Sequence, residues 1–254
     1  MPDQPLVVAL PGTLCAPAVF GDVATHSTLL NTELVVISWL TEGASWDLPA
    51  VADRVLDRVA ALTDRPLLLA GHSTGGVIAV LAALAAPDRV AGLLLSNTGA
   101  NMRGHGDVEA VIAWLEAQWG PAARGRVLDR CFQYPPAPTL RRELDGFASM
   151  VSKDAALQAL RSQFAIDLAP RLAELTMPVC IAHGRHDPVR PVSHAEFLVE
   201  HIPDAELILL DAGHTPMAED PVSYAAALDR LLARCGGSMG TAHRRAAGTQ
   251  SPRL

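Results

Sequence analysis

An attacking serine needs an exposed hydroxyl, a base to take its proton, an acid to orient that base, and donors for the oxyanion that forms. The pattern Gly-x-Ser-x-Gly serves the first need. Small flanking residues let the chain turn sharply from a strand into a helix and push the serine outward. It occurs twice, as Gly71-His72-Ser73-Thr74-Gly75 and as Gly236-Gly237-Ser238-Met239-Gly240. The base must come from another element, and nine histidines are available. His72 adjoins the serine and is expected to point beneath the turn. His183 and His186 straddle Asp187 and share its loop, which would aim them poorly. His26, His194 and His201 sit on or beside helical stretches, His105 stands at the opening of the strand-free segment that follows residue 97, and His243 lies near the C-terminus. His214 differs: in Ala212-Gly213-His214-Thr215-Pro216 it directly follows an apolar run. For the acid, Asp187 in His183-Gly184-Arg185-His186-Asp187-Pro188 is favoured. Asn97 is not ionisable, and Asp211 stands only three residues before His214. Aspartate is common in turns, so the case for Asp187 rests on the order Ser73, Asp187, His214, each after its own strand.

That order depends on the elements. Leu6–Leu10, Leu34–Ile37, Leu67–Ala70, Leu93–Leu95, Val179–Ala182 and Leu207–Leu210 are continuous apolar runs. Strands buried on both faces of a parallel sheet read this way. Pro49–Leu62, Gly76–Ala86, Val192–His201 and Pro221–Ala233 carry helical spacing between them. The alternation predicts an α/β fold, a mostly parallel sheet of about six strands flanked by helices. Ser73 then sits between a strand and a helix, whereas Ser238 follows a finished helix. Ser73 is the candidate nucleophile and Ser238 is linker. His214 and Asp187 fall at the carboxyl edge of the sheet, where open α/β sheets bind ligands.

From about residue 98 to 171 no strand is expected. Helical segments Val108–Gln118 and Ala155–Phe164 flank an interruption by Pro135, Pro136 and Pro138. An all-helical cap inserted into the core follows, giving core 1–97, cap 98–171, core 172–234 and a flexible tail 235–254. Half of the residues are hydrophobic and the net charge is −7, with no Lys/Arg-rich run, so nucleic acid is not an expected partner. The run Leu6–Leu10 is too short for a signal peptide or a membrane span, which predicts a soluble, cytoplasmic protein away from membranes. Cys15, Cys131, Cys180 and Cys235 are too dispersed for a metal site and read as reduced thiols. No metal is expected, and the sequence leaves the oligomeric state open.

With these residues in place, the chain resembles the α/β-hydrolase fold superfamily, and more closely its small, cofactor-independent serine esterase/lactonase branch. GHSTGG around Ser73, HGRHDPVRP around Asp187 and AGHTPMAEDP around His214 carry the resemblance, which spans roughly residues 5–234. It implies a catalytic triad of Ser73, Asp187 and His214 with no cofactor. It also implies an oxyanion hole from the backbone N–H of Thr74 and one from the loop after the first strand. That loop reads Leu10-Pro11-Gly12-Thr13-Leu14, with Pro11 where relatives usually have histidine. Thr13 is the aligned donor and Leu14 the fallback. Many relatives carry one or two further strands before this one.

The expected reaction is cleavage of a small, largely apolar carboxylic ester or lactone through an acyl-enzyme. Leu14, Trp46, Trp114, Trp119 and Val189 are the expected pocket residues, and Trp39 is a further candidate for the border of the site. Residues 100–171 hold eight Arg and one Lys against eight acids, so no surplus there selects an anionic substrate. A C–C bond hydrolase or a perhydrolase would keep the same triad. A slow-turnover ligand receptor on the same fold is the alternative of another class.

Overall fold

The computed structural model describes residues 4–30 and 34–247. Among these, six strands form one parallel sheet: β1 (Leu6–Leu10), β2 (Leu34–Val36), β3 (Leu67–His72), β4 (Val90–Ser96), β5 (Val179–Gly184) and β6 (Ala205–Leu210). Spatial order is β2-β1-β3-β4-β5-β6, with every neighbouring pair parallel. The inner strands β1, β3 and β5 are buried at every position, because helices cover both faces and leave no face for polar residues. The edge strands β2 and β6 are only partly buried. Since β2 lies on one side of β1 and β3 on the other, the order in which strands are added to the sheet reverses beside β1. The crevice at the carboxyl ends of β1 and β3 is the place where such sheets take ligands.

The helices are α1 (Val23–His26), α2 (Leu48–Ala60), α3 (Thr74–Ala85), α4 (Val108–Gln118), α5 (Pro121–Asp129), α6 (Pro138–Met150), α7 (Lys153–Ala165), α8 (Ser193–His201), α9 (Pro216–Glu219) and α10 (Pro221–Ala247). Helix α3 packs on β3 with α2 beside it, while α1 and α10 pack together and α10 covers β4 and β5. Between β4 and β5 the described chain forms only helices α4–α7 and a 3-10 segment, Ala169–Glu174.

Several elements differ from expectation: β4 starts three residues earlier, at Val90, and β6 two residues earlier, at Ala205. Strands β3 and β5 run two residues further, through Gly71-His72 and His183-Gly184. Their histidines are not solvated; they bond to backbone carbonyls inside the protein. The last helix does not stop at Ala233 but continues to Ala247, so the loose tail expected from residue 235 is helical there. Cys235 belongs to the core, its thiol bonded to the Ala91 carbonyl at 3.1 Å. The second Gly-x-Ser-x-Gly lies within this helix, without the strand-to-helix turn that exposes a nucleophile. Residues 248–254 fall outside the described residues. All four cysteines are free and buried.

Candidate active site

Ser73 joins β3 directly to α3 at φ 53° and ψ −117°. A side chain resists this left-handed conformation by roughly 1–3 kcal/mol, so surrounding packing must enforce it. Gly75 is what lets the turn close, since a Cβ there would collide with the Leu10 carbonyl at the end of β1. Leu14 (φ 64°) and Asn97 (φ 49°) are the other described non-glycine residues with positive φ. All three follow the carboxyl ends of central strands.

The three residues named from the sequence meet here. His214 Nε2 lies 3.0 Å from Ser73 Oγ, and His214 Nδ1 lies 2.7 Å from Asp187 Oδ2. With Nδ1–H donating to the carboxylate, Nε2 is left to accept the serine proton. Asp187 is fully shielded, and burial alone would raise its pKa. The charge of His214 and hydrogen bonds from His214, Asn97 and the Arg190 backbone outweigh that, holding it well below the usual carboxylate range. Its other oxygen accepts the N–H groups of Val189 (2.7 Å) and Arg190 (2.9 Å). The competitor Asp211 is instead exposed and bonded to His186 at 2.8 Å.

Several supporting residues went unassigned in the sequence. Asn97 donates from Nδ2 to Asp187 Oδ2 (2.7 Å) and to the Gly213 carbonyl (3.1 Å), and accepts the Gly184 N–H (3.2 Å). One amide thus ties the Asp187 loop to the His214 loop. Glu219 accepts the N–H groups of Gly213, Thr215 and Gln133, bracketing His214. The polar residue after β4 and the acid in AGHTPMAEDP were visible, but nothing in the sequence says where their side chains reach.

The loop after β1 is held in an unexpected way. Gly12 N–H donates to His72 Nδ1 (3.2 Å), and His72 Nε2 then donates to the His214 carbonyl (2.8 Å). Burial lowers the pKa of His72 to about 3, so it is neutral at pH 7 and can accept at Nδ1. Trp39 Nε1 donates to the Pro11 carbonyl at 2.8 Å. His72 and Trp39 therefore brace the loop whose usual histidine is replaced by Pro11. Gly12 N–H is spent on His72 and Cys15 N–H on Gly12 O, with Thr13 and Leu14 between them. Thr74 Oγ1 donates to Gln163 Oε1 (2.8 Å), which makes the Thr13 hydroxyl the donor to Thr74 Oγ1 (2.8 Å). The two expected oxyanion residues are thereby linked to each other and to α7.

Above Ser73 lies a cavity of about 500 Å³, a volume suited to a small organic ligand. Leu14, Trp114, Trp119 and Val189 line it, together with Ser73 and His214. Trp46 does not. Helix α7 turns Ala156, Leu160 and Gln163 toward the cavity, and its opposite face clips the loop that bears Trp46. Gln158 accepts the Trp46 N–H at 2.6 Å, and Ser162 accepts the Leu48 N–H at 2.9 Å. Cys15 and Cys131 also line the cavity. Burial pushes Cys15 up to about 12 and Cys131 well above its ordinary value, which disfavours both thiolates.

Residues 25–221 match the model of the alpha/beta hydrolase fold family. The chain belongs to that family. It is 32% identical over 193 residues to a protein of Azorhizobium caulinodans named for carbamate hydrolysis, covering 72% of this chain and 70% of that one. It is 28% identical over 192 residues to a pimeloyl-[acyl-carrier protein] methyl ester esterase of Neisseria meningitidis serogroup C, covering 71% and 73%. The enol-lactonase of Burkholderia xenovorans LB400 has the same fold, with TM-score 0.74, 19% identity, and 91% and 92% of the chains covered.

Proposed function

We propose that this chain is a serine hydrolase that cleaves a small, largely apolar carboxylic ester or lactone, with Ser73, His214 and Asp187 as its triad. The observation that carries this is the unbroken line from Ser73 Oγ through His214 to buried Asp187, at 3.0 and 2.7 Å, opening into an apolar-walled cavity. His214 Nε2 takes the proton as Ser73 Oγ attacks the acyl carbon, and Asp187 stabilises the imidazolium. The backbone N–H groups of Thr74 and Thr13, with Leu14 as the alternative to Thr13, hold the oxyanion. Each such donor contributes about 10²–10³ in rate. His214 then gives its proton to the departing alcohol, and water activated by the same imidazole releases the acid. Helices α4–α7 act as the cap that excludes bulk water. Relatives named for a carbamate and for a methyl ester support the reading, because both bonds yield to the same acyl chemistry.

The test is hydrolysis of uncharged aryl esters and lactones of graded acyl length by wild type and Ser73→Ala. Sustained wild-type turnover that falls at least about 10³-fold in the variant is expected. Equal inactivity of the two across the panel would overturn ester cleavage and move attention to C–C substrates and ligand-dependent partner binding.

A further inference from the structure

Arg190 is only 1% exposed, yet it is a cation in the wall of the cavity. Three residues beyond Asp187, it gives its backbone N–H to that carboxylate, but its side chain turns elsewhere. Nη1 reaches the Asn101 carbonyl at 3.3 Å and lies 3.4 Å from His194 Nδ1, and Nη2 meets only the sulfur of Met102 at 3.3 Å. Nε is buried with no partner. Among the described residues no acid forms an ion pair with the guanidinium. Asp187, whose charge it feels, is committed to His214, Asn97 and two backbone N–H groups.

Burying a cation with its donors half-used is costly, and a buried charge is as a rule paired. A second orphan stands close by. His105, also in the cavity wall and edge-on to His194 at 6.1 Å, has a buried Nδ1 with no partner. Arg126 and Arg130 line the same cavity, and no aspartate or glutamate does. A charged pocket without an acid is arranged for an anion brought by the ligand, and a planar guanidinium matches a carboxylate best.

We propose that Arg190, aided by His105, binds a carboxylate on the substrate, so that the ester or lactone cleaved at Ser73 carries a free acid group away from the scissile bond. This rests on the hydrolase reading above and names the substrate class for it. The apolar walls hold the intervening chain, and the carboxylate docks at the Arg190 corner. Arg190 is a specificity residue and takes no part in bond breaking.

Binding tests it apart from turnover. Ser73→Ala keeps an ester intact, and the fluorescence of Trp114 and Trp119 in the cavity wall reports occupancy. Methyl hemiesters of straight-chain dicarboxylic acids of graded length would be titrated beside the methyl esters of the matching terminal amides. At the best length the carboxylate should bind at least about tenfold more tightly than its amide. In Ser73→Ala/Arg190→Gln that ratio should fall to about one, with Arg190→Lys between. Should Arg190→Gln fail to fold, the carboxylate-to-amide ratio in the Arg190 protein and the Arg190→Lys variant decide. Equal binding of acid and amide at every length, binding of neither, or a preference that survives Arg190→Gln would overturn the proposal. A preserved preference without wild-type hydrolysis would instead remove the ester-cleaving reading and leave the anion site standing.

Discussion

Asn97 shows how much one side chain carries at this site. Its amide donates to Asp187 and to the Gly213 carbonyl while accepting from Gly184, and it does so from a left-handed backbone at φ 49°. Such strain is tolerated where the surroundings insist on it. Asn97→Gly keeps the left-handed backbone accessible and removes the side chain with its amide. Charge-assisted hydrogen bonds are worth about 1.5–3 kcal/mol, so kcat with a neutral ester should fall roughly tenfold or more while KM changes little. An unchanged kcat would show that Asp187 needs no help from Asn97. The sequence made Ser73, Asp187 and His214 legible because each follows its own apolar run. It made Asn97 visible only as a residue that is not an acid, since the reach of an amide across two loops is a tertiary fact. The position of His72 beneath the turn is legible, but its bond to the Gly12 N–H is a tertiary fact.

At the scale of elements, helix phase decides what the cap does. Every third or fourth residue of α7 (Ala156, Leu160, Gln163) faces the cavity, while Gln158 and Ser162 grip the loop after β2. Trp46 therefore lies outside the cavity, and a composition-based guess at aromatic lining could not tell which face of an unseen helix would claim it. The phase also puts Gln163 against Thr74, linking the cap to the residue proposed as an oxyanion donor. Gln163→Leu keeps the volume and removes the acceptor. With a neutral ester it should lower kcat by about three- to tenfold, the worth of roughly one hydrogen bond, with the far-ultraviolet circular dichroism spectrum unchanged. A wild-type kcat would show that the cap leaves the oxyanion residues to themselves. Strand and helix order was readable because buried parallel strands are apolar throughout, whereas the extent of α10 was not, because Gly236-Gly237 reads as a break.

For the whole molecule, buried histidines couple stability to acidity. Burial lowers His72 and His105 to about 3 and His194 to about 4, far below their values in an unfolded chain. Below about pH 6.5 the unfolded state therefore binds protons that the folded state refuses, and stability falls as pH falls. The loss is absent above pH 6.5 and grows down toward the folded values. His72 alone, fully buried, should cost about 2 kcal/mol between pH 7.5 and pH 5, measured by urea denaturation. In His72→Gln, which keeps an acceptor and a donor but does not titrate, the slope should be shallower; an identical slope would contradict the assignment. The charge count over residues 100–171 leaves out Arg190, which lies beyond that stretch yet lines the cavity.

The proposed chemistry depends on Ser73 as the nucleophile. A fluorophosphonate reagent tests this most directly, since it phosphonylates only a serine activated by its neighbours. Wild type treated with it should gain the mass of one adduct, mapped to the peptide bearing Gly71–Gly75, and Ser73→Ala and His214→Ala should gain little or none. An adduct on another residue, or none on the wild type, would contradict the account.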